Sequence, residues 1–258
     1  RNLATEDRLG VMFEWIGTPG DGGDLANFTN YVRNAYSGGT FYDIIGAYSR
    51  TAGSLLTNGL IQDVNKIENS YINLDQPWWP KSMVDTCTIE DSLFFVSGDI
   101  STNLLWMMIG TFYNKDLLQS VQYENLYDVV DDGRWTLDYQ IQLSKDLYRD
   151  ADGSGTVSEG DTVGFASSTL SYIDPYWSSC DLTILGKDAD NLLVYSLDVE
   201  KMSNVVDKLI VLFHDSNAWF DDSSGDDGKQ TAMSNLFTSG NVGTATLRLG
   251  SVETTQFI

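Results

Sequence analysis

The sequence predicts an α/β chain built as two α/β lobes, and three observations lead there. Helical spacing alternates with short β-branched and aromatic runs in both halves of the 258-residue chain. Glycines and capping polar residues stand where those helices should stop and start. The apolar run 104–113, LLWMMIGTFY, meets Asn114, Lys115 and Asp116 and then turns apolar at helical spacing. It reads as a strand buried on both faces feeding a helix, at the border of two lobes. The border is drawn after residue 110, with a first lobe over 1–110 and a second over 111–258.

In chain order, residues 1–10 are helix-compatible and end in Gly10, and 11–16 carry strand formers closed by the turn sequence GTPGDGG. A helix is expected over 25–35, a strand over 41–47 (FYDIIGA), a helix over 51–58 ending at Gly59, and a strand over 93–96. Trp78, Trp79 and Pro80 are expected to cap a core edge. Beyond the border, Thr136 caps a helix running to residue 149, and 162–168 reads as a strand. The clearest amphipathic helix is 198–213, with Val205, Leu209 and Leu212 on one stripe. A further helix is expected over 229–237 and a strand over 242–249, with 221–228 polar enough for a mobile loop.

Charge excludes two classes of partner. The net charge of -22, from 37 acidic against 15 basic residues, repels phosphate backbones and anionic lipid surfaces. Neither nucleic acid nor a membrane surface is expected as a partner. No stretch approaches the roughly 18 uninterrupted apolar residues of a spanning helix, and Arg1 opens without a signal peptide, so the chain reads as soluble and processed or truncated. Cys87 and Cys180 lack zinc or redox spacing; they either pair in an oxidising compartment or stay as separate buried thiols.

One motif carries chemistry. Residues 150–161, DADGSGTVSEGD, match a calcium loop in which positions 1, 3 and 5 offer side-chain oxygens, position 6 is Gly, position 7 offers a carbonyl and position 12 closes the site. Those positions hold Asp150, Asp152, Ser154, Gly155, Thr156 and Asp161. A hard cation wants six to eight oxygens in a flexible shell, which a sharp Gly turn wraps from one short peptide. Ser154 replaces the usual Asp or Asn, and Asp161 replaces a Glu. The competing reading is an Asp/Gly-rich turn. A structural calcium ion is the expected cofactor.

Catalysis has no comparable signal. His214, the single histidine, lies at a helix end where a solvated or dipole-facing role is the common one. The glycine-rich stretches have neither the GK[ST] ending of a phosphate loop nor the strand-GxGxxG-helix setting of a dinucleotide site. A calcium-dependent glycoside hydrolase is the alternative function, and a calcium-dependent adhesion module a third.

Several segments resemble the extracellular solute-binding proteins of ABC transporters, in the branch of maltodextrin- and other sugar-binding proteins. They are YDIIGAYSRTAGSLLTNGLIQDV (42–64), FYNKDLL (112–118), WTLD (135–138), YIDPYW (172–177) and LFTSGNVGTATLRLG (236–250). The resemblance implies a periplasmic-binding-protein-like fold of type II, two α/β lobes joined by a hinge, with no enzymatic activity. It also implies a partial member, because family chains open with a strand before the position of Arg1 and return to the first lobe beyond Ile258. An oligosaccharide is the implied ligand and an ABC-transporter permease the implied partner. The implied protein is a monomer, extracellular, lipid-anchored at the cell surface or periplasmic, any lipid anchor lying outside this chain. The family's ligand loop falls on Tyr48, Ser49 and Arg50. Arg50 matches a family arginine, while Ser49 stands where the maltodextrin binders have a carboxylate and Gly46 where they have a tryptophan, which argues against maltose itself. YIDPYW points to Tyr176 and Trp177 as stacking aromatics and Asp174 as a hydroxyl acceptor, with a plain core role as the competing reading for the two aromatics. Sugars present apolar C–H faces and a rim of hydroxyls, so aromatic platforms joined to a few charged groups suit them.

Overall fold

The computed structural model describes residues 2–169, 172–221 and 229–253. The chain divides into two compact units, 1–97 and 98–258. The sequence border at 110/111 thus lies inside the second unit: the strand that follows residue 108 is hydrogen-bonded along its length to another strand of that unit. No helix among the described residues is long and apolar enough to cross a membrane.

The first unit holds α1 (Asn2–Leu9), α2 (Leu25–Ser37), α3 (Ser49–Thr57) and α4 (Lys81–Cys87). Its centre is small: Val32, Leu55 and Leu60 are buried, with Phe28, Tyr36, Tyr42, Ile45 and Ile61 packed against them. Arg33 on α2 donates to Asn58 Oδ1 at 2.5 Å, tying α2 to the end of α3. The loop beyond is held by Asp63, whose Oδ1 accepts from the N–H groups of Asn65 and Leu93 at 3.0 Å each. Its Oδ2 pairs with Lys66 at 3.0 Å. Burial opposes ionisation there, but the Leu93 N–H, the Lys66 ammonium and the Ser92 and Asn65 donors outweigh it and hold the carboxyl well below the usual range.

The strands expected over 11–16, 41–47 and 93–96 do not form. Among the described residues the only ladder contact of this unit is the isolated bridge between Ile89 and Ser92. A strand exists by pairing its N–H and C=O groups with a neighbour, and β-propensity supplies no neighbour. These segments run as irregular chain and expose apolar side chains, Met12, Trp15, Phe41 and Ile44 among them.

The second unit is α/β. It comprises α5 (Thr102–Trp106), β1 (Ile109–Tyr113), α6 (Lys115–Ser120), α7 (Leu126–Asp131), α8 (Leu137–Leu147), β2 (Val163–Ser168), α9 (Asp174–Ser179), β3 (Leu185–Lys187), β4 (Leu193–Tyr195), α10 (Val199–His214), β5 (Trp219–Asp221), α11 (Lys229–Thr238) and β6 (Val242–Arg248). The main sheet has the order β1-β6-β2-β5, and β3 and β4 form a separate hairpin. β2 runs parallel to both β5 and β6, and β1 is antiparallel to β6. The run 104–113 is therefore not one doubly buried strand. Its first residues complete α5, and β1 is an edge strand with Gly110 and Thr111 exposed.

Caps stand where polar residues interrupt the pattern. The side chains of Asn114, Thr136 and Asp198 accept from the N–H groups of Leu117, Tyr139 and Lys201 at 2.9, 3.2 and 2.9 Å, starting α6, α8 and α10. Asn114 also donates through Nδ2 to the Gly240 carbonyl at 3.2 Å, fastening the β1–α6 junction to the turn before β6. β2 and β6 are buried along nearly all their length. Side by side in their ladder stand Gly164 and Gly243, and α8 lies directly on them. A Cβ on Gly164 would sit 2.5 Å from the Leu143 carbonyl oxygen, and one on Gly243 2.5 Å from Leu147 Cδ1. Phe213 stacks on Phe220 with centroids 4.4 Å apart and on Phe165 at 6.3 Å, pairs worth about 0.5–1.5 kcal/mol each beyond their buried area. The expected loop over 221–228 lies, beyond Asp221, outside the described residues.

Candidate ligand-binding faces and metal loop

In the first unit, Tyr48 is the N-cap residue of α3 and Ser49 and Arg50 open its first turn. Tyr48 is extended and provides no side-chain cap, and its carbonyl accepts from the N–H groups of Thr51 and Ala52 at 2.8 and 3.1 Å. All three side chains are exposed. Among the described residues the Arg50 guanidinium makes no hydrogen bond or ion pair, which leaves five N–H donors uncommitted in a strongly acidic chain.

In the second unit, helical geometry separates the residues of the 172–177 segment. Asp174 and Trp177, three apart on α9, share a face; Asp174 is exposed and Trp177 half-buried. Tyr176 is turned about 100° away. It is 8% exposed, packs edge-on against Phe213 at 5.8 Å, and brings its hydroxyl to within 3.4 Å of Gln140 Oε1. Burial pushes its phenol well up. The expectation that Tyr176 stacks on a ligand is thus corrected: its ring is committed to the core, while Asp174 and Trp177 stay available.

The sheet register brings further groups together. Ser168 pairs with Asp221, and Arg248 is the last residue of β6, so these three mark one edge of the sheet, at the carboxyl ends of its parallel strands. Crevices beyond that edge are where open α/β sheets take ligands. The Arg248 guanidinium carbon lies 5.4 Å from the centroid of the fully buried Tyr172 ring. Tyr172 and Arg248 both lie in segments that carry the family resemblance, but as single residues they escape a sequence reading. Their pairing depends on a contact between positions 76 apart in the chain. His214 is exposed at the end of α10 with its ring edge on Phe220, 5.4 Å between centroids.

The loop 150–161 is closed at its base by a bridge between Arg149 and Thr162. Asp150 accepts from the N–H groups of Gly153, Ser154 and Gly155 at 2.7, 3.2 and 2.9 Å, and Gly153 and Gly155 take positive φ of 71° and 73° to present them. Asp161 is fully buried and accepts from Ala151 and Ser158 N–H at 2.8 Å each. The Ser154 hydroxyl and N–H hold Asp152 below the usual carboxylate range. Carboxylate oxygens of Asp150, Asp152 and Asp161 all lie within 4.8 Å of one another. Ser154 Oγ donates to the Thr156 carbonyl at 3.0 Å. Burial first, and then the charges of Asp161, Asp150 and Asp152, push the neighbouring Tyr148 phenol up. The donor set is all oxygen, and each of the three carboxylates has at least one oxygen that accepts a single hydrogen bond and keeps a second lone pair, so the residues fit a hard cation.

No family model and no curated protein matches the chain. Solved structures do. The GacH receptor of Streptomyces glaucescens, known unliganded and in complex with acarbose and an acarbose homolog, matches with a TM-score of 0.54 and 15% identity over 99% of this chain and 57% of its own. The ABC substrate-binding protein Lmo0181 from Listeria monocytogenes, in complex with cycloalternan, matches with a TM-score of 0.51 and 13% identity over 99% of this chain and 58% of its own. The chain therefore shares the fold of these two proteins, and spans somewhat over half of their length.

Proposed function

We propose that this chain is the greater part of an extracellular or periplasmic solute-binding protein that captures an oligosaccharide and delivers it to an ABC-transporter permease. One observation carries the reading: the fold likeness runs over nearly the whole chain, to two binding proteins that were each solved with a carbohydrate-type ligand. The uncommitted donors of Arg50 and the shared face of exposed Asp174 and half-buried Trp177 support it chemically. Arg50 and Asp174 supply charge-assisted hydrogen bonds to hydroxyls, Trp177 supplies an apolar platform for a pyranose C–H face, and Tyr48 and Ser49 line the same loop as Arg50. The protein binds and releases its ligand unchanged, as a monomer.

Calcium belongs to the same proposal. Asp150, Asp152, Ser154, Asp161 and the Thr156 carbonyl would hold it, and its role is to neutralise three converging carboxylates and pin the start of β2.

The test incubates the chain with acarbose, cycloalternan and maltotetraose, following heat of binding and sugar release together. Saturable binding without turnover is expected. Sustained release of shorter sugars overturns the binding reading in favour of a glycoside hydrolase.

A further inference from the structure

A recess lies at the opposite edge of the main sheet from Ser168, Asp221 and Arg248. Because β1 is antiparallel to β6, with Ile109 opposite Arg248 and Tyr113 opposite Thr244, the Tyr113 end of β1 marks the amino-terminal edge of the parallel strands. Off that end is a recess of about 360 Å³, whose lining includes Tyr113, Lys115, Gln119, Glu124, Asn125 and Tyr127. That volume lies within the range of small-ligand sites.

The lining is rigid and chemically divided. The rings of Tyr113 and Tyr127 meet edge to face with centroids 5.3 Å apart. Lys115 Nζ sits 4.9 Å from the Tyr127 centroid and 5.9 Å from that of Tyr113. It makes no ion pair among the described residues, so its N–H donors are held by aromatic faces alone. Glu124 is fixed from behind: Arg134 grips it with a two-pronged fork at 3.1 and 2.7 Å, and the Tyr139 hydroxyl donates to it at 3.0 Å. Tyr113 and Tyr139 pack on the buried cluster of Leu118, Leu126, Val129, Leu143 and Leu147, which roots the walls in the core. The recess thus offers a donor-only cation, an acceptor-only anion and an exposed aromatic ring, all positioned before any ligand arrives.

We propose that this recess is a second carbohydrate site, taking a single pyranose ring. A pyranose answers each wall: its C–H face meets aromatic carbon, and its hydroxyls both donate to Glu124 and accept from Lys115. The Glu124 carboxylate disfavours an anion at the same wall, and a free cation would compete with Lys115 for the same ring faces. The inference uses none of Tyr48, Ser49, Arg50, Asp174 and Trp177, and stands or falls without them.

The test titrates the isotopically labelled 258-residue chain with methyl α-D-glucopyranoside and follows backbone amide shifts, with mannitol as an open-chain polyol lacking a ring face. Saturable shifts at Lys115, Gln119, Asn125 and Tyr127 are expected, with a Kd on the order of 1 mM, because one exposed platform and a few hydrogen bonds give little surplus over the cost of association. Tyr127→Ala, an exposed position, should weaken them by roughly tenfold, and Trp177→Ala should leave them unchanged. Absence of shifts at these amides overturns the proposal, as do equal shifts with mannitol or an unaltered titration in Tyr127→Ala. Loss in Trp177→Ala alone would overturn it by showing that the pyranose reports on the Asp174 and Trp177 face instead.

Discussion

Arg248 lies over the ring of Tyr172 at 5.4 Å, placing a guanidinium at the edge of the sheet where the parallel strands end. The ring positions the charge near the carboxyl ends of the parallel strands, the end at which α/β sheets hold ligands. Arg248→Met keeps the aliphatic stem and deletes the charge. Sugar affinity should fall by roughly tenfold, the loss of one or two charge-assisted hydrogen bonds, with little change in melting temperature. Calorimetry beside thermal unfolding separates the two effects; an equal affinity would assign Arg248 to packing.

The metal loop makes its own demand. If calcium binds the folded loop alone, a concentration near 100 times its Kd adds about 2.7 kcal/mol to apparent stability. Melting temperature should rise with calcium and fall with a chelator, and Asp152→Ala, an exposed position, should abolish the response. Unchanged melting under all three treatments would leave the loop an Asp-rich turn.

Close approach of α8 to the sheet rests on Gly164. A methyl there would meet backbone atoms of Leu143 and Ser144, which cannot swing aside as a side chain can. Gly164→Ala should destabilise by about 1–3 kcal/mol, read from chemical denaturation. Gly53→Ala, in α3 with open space around it, is the matched control and should be neutral or mildly stabilising.

The depressed carboxyl of Asp63 fixes the sign of a pH effect. A group whose folded pKa lies below its unfolded value stabilises fully above the unfolded pKa, about 3.9 for Asp, and loses that contribution as pH falls toward the folded one. Asp63→Asn should therefore lower stability at neutral pH, and the difference from the parent should shrink steadily below about pH 4. A constant difference across that window would mean that shape, not charge, holds the 63–66 and 92–93 segments together.

Sequence carries local structure here better than pairing. Caps at Asn114, Thr136 and Asp198 are legible because each needs only its own next turn. The same holds for the stripe of Val205, Leu209 and Leu212, whose last member is fully buried. Residues 11–16 and 41–47 have strand composition, yet no strand forms, because composition does not name a partner. The run 104–113 misleads for a related reason: its apolar residues serve a short helix and an edge strand, two environments that a continuous pattern cannot tell apart. Arg50 and Trp177 enter as candidates through segment likeness alone, one on each unit. Tyr176 is misread, since its segment does not say which way α9 is rotated on the core.

Binding of a carbohydrate is the central claim, and calorimetry with acarbose, cycloalternan and maltotetraose on the parent chain, Trp177→Ala and Arg50→Ala tests it most directly. Saturable heat with at least one of the three is expected, weakened about thirtyfold by loss of the aromatic anchor and about tenfold by loss of the guanidinium, with both variants folded. No heat from any of the three sugars, or identical affinity in both variants, would contradict it.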